Sequence, residues 1–390
     1  MPIVFVHGVG VRKGPGYENH VTARSSLIKR FCLKKIVSNW QTFEIGNPYW
    51  GGDGAKFHWD HASLPKGKHE RLGEDENALI VPVIESGVVP ANSKSTILSV
   101  ARERGLTEAA DLLWTLALSK HGAKLAEDFA SLAEKVLELA ERDPKPLWLR
   151  SAQDDQTFIG RLREEVEKSE SRTETEILGV REVWEGLRET ASRIALAIPA
   201  EATKDFMTIA RRWLHVHIAT FFGDAMVYLN ERGSPDHPGP IVAKVLAAID
   251  QADGVRQRTG EPLYLMGHSM GGNILYDILT WFRPELTIEA LITVGSQPPL
   301  FEEIKLFGIS NKKIPADVAK DRVPKRAGIG RWINVFDLND ILSFQAAEIF
   351  EGVRDFEYET GAGLATAHIS YFNRPSFQSN LGHRIREGIA

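Results

Sequence analysis

Short runs of apolar residues recur along the chain and predict buried strands. The first, residues 2–6 (Pro-Ile-Val-Phe-Val), is rich in β-branched side chains and ends at His7 and Gly8. A run that is apolar on both faces is typical of a strand in a parallel sheet with helices on each side. Three more runs of this kind follow, at residues 262–266, 290–294 and 332–336, and a further strand is predicted at residues 40–45.

Segments with helical spacing of apolar residues occupy most of the intervals between these strands. They are predicted at residues 21–37, 206–230, 239–258 and 376–388, with a further helix that ends at Trp281. Pro238 and Pro240 introduce the helix at 239–258, since proline is favoured in a first helical turn. Strands that alternate with helices predict an α/β fold, with a mostly parallel sheet and helices on both faces.

The stretch from residue 99 to 205 breaks this alternation. It is rich in Glu, Lys and Arg and contains no convincing strand. One helix face is marked by apolar residues three and four apart, namely Leu125, Phe129, Leu132, Val136 and Leu139. We therefore predict a sheet domain formed by residues 1–98 and 206–390, with a large helical insertion at residues 99–205.

The composition narrows the class of protein. The chain has 390 residues, of which 25% are charged and 43% are hydrophobic, and these values exclude a disordered or fibrous protein. The net charge of −5 lacks the basic excess of a nucleic-acid-binding protein, so no nucleic-acid partner is predicted. With one cysteine, no signal-peptide pattern and no long apolar run, a cytoplasmic location is expected. Peripheral membrane contact and the oligomeric state are left open.

The strongest chemical signal is a G-x-S-x-G motif formed by Gly267, His268, Ser269, Met270 and Gly271. An apolar strand precedes it and a helix follows it, which is the context that a nucleophile elbow requires. In such a tight turn the glycines let strand and helix approach, and the serine hydroxyl projects at the carboxyl edge of the sheet. Ser269 is therefore the candidate nucleophile.

A serine nucleophile needs a general base, and the base needs an acid that orients it. Where the serine lies on an elbow, the acid and then the histidine follow it in the chain. Asp337 and Asp340 follow the strand at 332–336, and Asp340 is preferred because it lies in the loop beyond the strand. His368, after a glycine-rich loop, is the candidate base, whereas His383 falls in the predicted last helix.

Acyl transfer also requires hydrogen-bond donors for the oxyanion. One donor is the amide of the residue after the nucleophile, here Met270, and the other comes from a loop after an early strand. That loop is residues 7–10 (His-Gly-Val-Gly), and Val9 is the candidate donor because the glycines on either side of it let the loop bend inward.

These motifs resemble those of the lipase/esterase group of the α/β-hydrolase superfamily, especially its GPI inositol-deacylase-like and class 3 lipase-like members. The resemblance lies in Phe5–Val9, Gly267–Gly272, Thr293–Pro298, Asn334–Asp340 and His368–Tyr371, and more weakly in Pro48–Asp53 and Gly223–Tyr228. It covers roughly residues 1–60 and 206–375 and does not reach the insertion. It implies an α/β-hydrolase fold for the sheet domain, and we predict that the insertion forms a helical cap on that fold.

The set Ser269, Asp340 and His368 predicts a serine esterase that forms an acyl-enzyme and needs no cofactor. The resemblance implies a lipid or another acyl ester as the substrate, a small molecule or part of a membrane. The same triad serves amidases and thioesterases, so these stay open. A third alternative is a non-catalytic scaffold of this fold, which binds a partner protein through residues 99–205.

Two other features allow more than one interpretation. His58 and His61 are three residues apart, but no further pair completes a zinc site, and His215 and His217 would diverge on a helix, so no metal is predicted. Three explanations of the insertion stay open: burial against the sheet domain or between its own helices, a cap over an apolar acyl pocket, and a surface for a partner or a membrane.

Overall fold

A computed structural model describes residues 3–14, 17–38, 40–64, 95–121, 126–169, 180–197, 203–362 and 366–387. The chain forms two compact units, each made of several segments. The sheet unit comprises residues 1–14, 42–65 and 212–359, and the helical unit comprises residues 15–41, 66–211 and 360–390.

The described strands are β1 Ile3–Val6, β2 Ile45–Gly46, β3 Gly233–Ser234, β4 His237–Pro238, β5 Tyr264–His268, β6 Ile288–Val294, β7 Ile329–Phe336 and β8 Val353–Glu357. Six of them form one sheet in the order β2-β1-β5-β6-β7-β8, in which all neighbours are parallel. β3 and β4 form a separate antiparallel pair.

The described α-helices are α1 Tyr17–Leu27, α2 Thr96–Glu103, α3 Leu106–His121, α4 Ala126–Arg142, α5 Asp155–Ser169, α6 Val180–Ala197, α7 Thr203–Glu231, α8 Pro240–Thr259, α9 Met270–Asp277, α10 Pro298–Glu303, α11 Ala367–Ser370 and α12 Pro375–Arg386. α8 begins at a proline and ends at Gly260, whose φ of +70° forms a left-handed cap. α1 continues as a π-turn and a 3₁₀ turn through Lys35.

The central strands of the sheet are buried along their length. All four residues of β1 are inaccessible to solvent, and most of β5 and β6 is buried as well. Helices flank the sheet and supply the apolar partners for these strands, and α8 and α9 both pack on β1. The predicted α/β class with a parallel sheet is therefore confirmed.

The structure corrects two strand predictions. The second strand is Ile45–Gly46 rather than residues 40–45, because Trp40–Thr42 form a 3₁₀ turn. β8 was not predicted at all, since Val353-Arg-Asp-Phe-Glu357 lacks a continuous apolar run. It lies at the edge of the sheet, where a strand has one free side and exposes polar residues.

The helical unit has its own apolar core. Its buried side chains include Leu98, Leu113, Val136, Phe158 and Trp184, which belong to one cluster. The described helices of the predicted insertion at residues 99–205 lie in this unit, together with α1 and α12. The sequence pattern placed α1 and α12 in the sheet domain.

Candidate functional site

The candidate catalytic segments of the sheet unit emerge at one edge of the sheet. The register pairs Val6 with Gly267, His268 with Val294, and Val294 with Val335, so the strands end at a common level. From β1 the chain passes to β2 on one side and later to β5 on the other. Where the strand order reverses in this way, the loops at the carboxyl ends of the two central strands leave a crevice that is the usual ligand site of parallel sheets.

Ser269 occupies the turn between β5 and α9 in a strained backbone conformation. Its φ of 53° and ψ of −129° lie in a backbone region that residues other than glycine rarely adopt. The turn is held by two backbone hydrogen bonds, because the Ser269 amide donates to the Val294 carbonyl at 3.0 Å and the Gly272 amide donates to the Ser269 carbonyl at 3.0 Å. The strain is thus imposed by the strand and helix on either side.

The glycines of the motif make room for this turn. A Cβ at Gly267 would lie 2.5 Å from the Gly272 amide nitrogen, and one at Gly271 would lie 2.1 Å from the Val6 carbonyl oxygen. Contacts this short with backbone atoms cannot be relieved by moving a side chain. Glycine is therefore required at both positions to pack the elbow against β1.

The loop after β1 lies directly against the serine. A Cβ at Gly8 would lie 2.7 Å from the Ser269 Cβ and 3.2 Å from its Oγ. Ser269 is buried, and its Oγ has no hydrogen-bond partner among the described residues. The hydroxyl therefore faces a backbone loop at van der Waals distance and is not held in a structural hydrogen bond.

His7 holds the start of this loop. Its ring stacks on Trp50 at 4.8 Å, its Nε2 accepts the Trp50 amide at 3.2 Å, and its carbonyl accepts the Trp50 indole N–H at 2.8 Å. Nδ1 lies 2.7 Å from the Gly8 carbonyl, so the hydrogen-bond pattern assigns the proton to Nδ1. The sequence reasoning missed this role of His7, although His7 directly follows β1.

Met270 and Val9, the predicted oxyanion donors, lie on the two segments that meet at Ser269. Met270 is the first residue of α9, so its amide has no intrahelical acceptor and lies at the positive end of the helix dipole. Val9 is half-buried between Gly8 and Gly10 in the loop after β1.

Both candidate acids lie buried in the loop after β7. One carboxylate oxygen of Asp337 accepts the Asn339 amide at 2.8 Å, and one of Asp340 accepts the Leu342 amide at 2.9 Å. Each aspartate thus forms the same local turn with the amide two residues on. The preference for Asp340 over Asp337 therefore stays a prediction.

Gln297 links α9 to the loop after β7, which carries Asp337 and Asp340. The sequence did not predict this role. Its amide nitrogen donates to Asn273 Oδ1 of α9 at 3.2 Å, and its side-chain Nε2 donates to the carbonyls of Gly295 and Leu342. All these side-chain atoms are buried, so their hydrogen bonds fix the spacing between the two loops. The signal in the sequence was its place in Thr293–Pro298, directly after β6.

The predicted base lies in the other unit. His368 follows the glycine-rich loop, as predicted, and is a half-buried residue of α11, a short helix of the helical unit. Gly363, the last glycine of that loop, lies outside the described residues. His383 lies in α12, as the helical spacing predicted.

The sheet unit by itself brings together Ser269, the loop after β1 and the amide of Met270. This arrangement supplies a hydroxyl nucleophile beside backbone donors for an anion, and the described residues contain no cluster of three or more His, Cys, Asp or Glu that could hold a metal. None of the helices in the described ranges is long and apolar enough to cross a membrane. Comparison of the chain with protein-family models, curated proteins and solved structures yields no match.

Proposed function

We propose that the protein is a serine esterase of the α/β-hydrolase fold, with the helices of residues 99–205 as its cap. The observation that carries this proposal is the backbone of Ser269, whose φ of 53° aims a buried, unbonded hydroxyl at the loop after β1. A structural serine has no need of such a conformation, which costs about 1–3 kcal/mol. Strain of this kind is typical of a nucleophile held ready for attack.

In the proposed mechanism, Ser269 Oγ attacks the ester carbonyl carbon while His368 accepts its proton. The tetrahedral intermediate collapses as His368 returns the proton to the departing alcohol, which leaves an acyl group on Ser269. A water molecule then attacks the acyl carbonyl carbon and gives a proton to His368. The second tetrahedral intermediate collapses as His368 returns that proton to Ser269 Oγ, which breaks the bond to the acyl carbon and releases the carboxylic acid. Asp340, or else Asp337, orients the imidazole and stabilises its protonated form. His368 and the acid are assigned from their order in the chain.

The amides of Met270 and Val9 stabilise the charge on the carbonyl oxygen. Met270 offers its amide at the start of α9, and Val9 follows Gly8, which touches the serine. Backbone donors fixed in this way need no reorganisation as negative charge develops, and loss of one donor typically slows catalysis about 100- to 1,000-fold.

We propose an acyl ester with an apolar chain as the substrate. The loop after β7 supports this choice, because its residues Leu338 and Ile341, beside Asp340, are 73% and 46% exposed to solvent. Large apolar side chains at the edge that carries the nucleophile favour a substrate with hydrocarbon to bury. An amide or thioester with the same chain would react through the same steps.

Labelling with a fluorophosphonate probe tests the proposal. The folded protein should form a covalent adduct at Ser269, and Ser269→Ala should abolish it. Ser296→Ala is the matched control, since Ser296 is also buried at this edge of the sheet and follows β6. No labelling of the folded wild-type chain would exclude a serine hydrolase and favour a non-catalytic protein.

The substrate class is tested with p-nitrophenyl esters of increasing chain length. The expected result is a rise in kcat/KM with chain length, because each buried methylene adds about 0.8 kcal/mol of binding. An unchanged kcat/KM from acetate to decanoate would contradict an apolar acyl site. Parallel amide and thioester substrates decide the bond that is cleaved.

A further inference from the structure

We infer that Asp224 is a positioning residue for the oxyanion hole, and this inference rests on the proposed esterase function. Asp224 lies on α7, more than two hundred residues from the loop that it binds. It falls within Gly223–Tyr228, one of the two weaker parts of the resemblance, for which the sequence predicted no role. Its carboxylate is completely buried. A buried charge requires partners for both oxygens, and here those partners identify its role.

Each oxygen of Asp224 accepts one backbone amide and one guanidinium N–H. Oδ2 accepts the Gly10 amide at 2.9 Å and Arg12 Nη1 at 3.1 Å. Oδ1 accepts the Ala55 amide at 2.7 Å and Arg12 Nη2 at 2.6 Å. The arginine is thus bound in a bidentate fork, which is the strongest and most directional form of this ion pair.

The carboxylate joins three segments of the sheet unit: the loop after β1, the loop at residues 46–64 and helix α7. Close approach of the second loop depends on Gly54, because a Cβ there would lie 2.4 Å from Asp224 Oδ1. Arg12 also donates to the Ala55 carbonyl at 3.1 Å. The loop after β1 is therefore tied to structure on both sides of the carboxylate.

Val9 lies between two residues, His7 and Gly10, that these contacts hold in place. On one side His7 is held by Trp50, and on the other Gly10, with a φ of +74°, is held through its amide by Asp224. Gly8 and Val9 span the gap between them, and Gly8 lies against Ser269. The Asp224 bond to the Gly10 amide fixes the peptide that follows Val9. The Val9 N–H lies in the peptide before it, whose Gly8 carbonyl is 2.7 Å from His7 Nδ1. With the peptides on both sides held, rotation about the Val9 backbone is restricted, and so is the direction of the proposed oxyanion donor.

The variant Asp224→Asn distinguishes a positioning role of the carboxylate from a role that only fills space in the core. Asp224→Asn keeps the size of the side chain and one acceptor oxygen but turns the other into an NH₂ group, which faces N–H donors. At least two of the four hydrogen bonds are then lost, and the loop is free to move away from Ser269. Such a change alters the reaction more than it alters the fold.

The matched control is Asp277→Asn. Asp277 is also buried in the sheet unit, accepts Arg232 at 2.9 Å and Tyr228 at 2.9 Å, and lies at the far end of α9 from Ser269. It therefore shares the burial and the arginine pairing of Asp224 without any contact to the loop after β1. The two variants are expected to lower the melting temperature to a similar extent.

The experiment measures the second-order rate of fluorophosphonate labelling at Ser269, together with kcat and KM for a p-nitrophenyl ester and the affinity of an alkylboronic acid. Asp224→Asn should lower the labelling rate and kcat about 100-fold, with KM nearly unchanged. The affinity for the boronic acid should fall by a similar factor. Asp277→Asn should stay within about threefold of wild type in each, a change of under 1 kcal/mol.

A second variant covers the case in which Asp224→Asn does not fold. Arg12→Lys changes a side chain that is 37% exposed, keeps its charge and removes the fork. It should lower labelling about tenfold, since the carboxylate then holds the Gly10 amide without the planar guanidinium beside it. Val9 and Gly10 amides should exchange their hydrogens faster in either variant.

The outcomes distinguish this inference from the proposed function. If the wild-type chain labels at Ser269 and the folded position-224 or position-12 variants label at the same rate, Asp224 has only a structural role. Equal losses in Asp224→Asn and Asp277→Asn would also overturn the positioning role. If the wild-type chain itself does not label, the esterase proposal fails first.

Discussion

At the scale of single residues, the contact between Gly8 and Ser269 gives the sharpest constraint on the site. Gly8→Ala introduces a Cβ 2.7 Å from the Ser269 Cβ, a distance that forces the loop or the serine to shift. We expect fluorophosphonate labelling to fall at least about 100-fold, because a displaced oxyanion donor or nucleophile costs this much. Gly14→Ala is the control, since nothing lies within 4 Å of the added Cβ. Equal labelling rates for the two variants would contradict the placement of this loop in the site.

The identity of the acid is decided by replacing Asp337 and Asp340 separately with asparagine. Each variant keeps an oxygen for the amide two residues on, at Asn339 or at Leu342, so the loop should fold in both. Loss of the true acid should lower kcat by about 10⁴, because the histidine loses its tautomer and its counter-charge. The other variant should stay within a few-fold of wild type in kcat. Two small effects would show that neither aspartate acts on the base.

The sequence located the turn that carries Ser269, the proposed nucleophile, because a G-x-S-x-G motif between an apolar strand and a helix defines its own geometry. It could not choose between Asp337 and Asp340, since both follow the same strand and both form the same local turn. Asp224 falls within Gly223–Tyr228, a weaker part of the resemblance, but no role was predicted for it. Its partners, Gly10 and Ala55, are 214 and 169 residues away, and no local pattern signals a contact across such a separation.

At the scale of secondary structure, strands buried on both faces were predictable and the edge of the sheet was not. β1, β5, β6 and β7 each contain an apolar run because helices cover both of their faces. Among the described strands, β8 has a neighbour on one side only, and its Arg354 and Asp355 interrupt any such run. Asp355 is used in the fold, where it accepts the Ala346 and Ala347 amides.

Helix α2 depends on a cap from another helix. Asp155, the first residue of α5, is buried, and its Oδ1 accepts the amide of Leu98, in the first turn of α2, at 2.8 Å. Asp155→Ala should lower the free energy of unfolding by about 1–2 kcal/mol at neutral pH, because that amide loses its acceptor. Asp155→Asn retains the oxygen and should lose less. Urea denaturation of both variants measures the difference, and equal stabilities would rule out the cap.

At the scale of the whole molecule, two compact units share the chain in alternating segments. Residues 15–41 and 360–390 belong to the helical unit although they adjoin segments of the sheet unit. α1 buries Ala23 and Leu27, and α12 buries Phe377, Leu381 and Ile385. Helical spacing of such residues indicates which face is buried but not which core covers it. For this reason the pattern predicted an insertion at residues 99–205 and could not predict that α1 and α12 share a unit with it.

The helical unit contains two buried carboxyls that should make its stability depend on pH. Burial raises the pKa of Asp111 to about 6 against the opposing effects of Arg374 and Ser376, and burial also raises the pKa of Asp155 to about 6. Between pH 4 and 6 the folded state then keeps protons that the unfolded state has released. The free energy of unfolding therefore falls as pH rises through this window, by up to about 3 kcal/mol per carboxyl.

Asp111→Asn removes one of these titrations and isolates its contribution. The amide cannot ionise, so urea denaturation followed by tryptophan fluorescence should show a flatter pH profile between pH 4 and 6.5 than in the wild-type chain. The fall of the free energy of unfolding with pH should become shallower by up to about 1.4 kcal/mol per pH unit, which corresponds to one proton. Near pH 4 the variant should be no more stable than wild type. Asp111 is then protonated in the wild-type fold, so it is a neutral hydrogen-bonding group, as asparagine is. Parallel profiles for the two proteins would mean that Asp111 stays ionised in the fold, with Arg374 and Ser376 offsetting its burial.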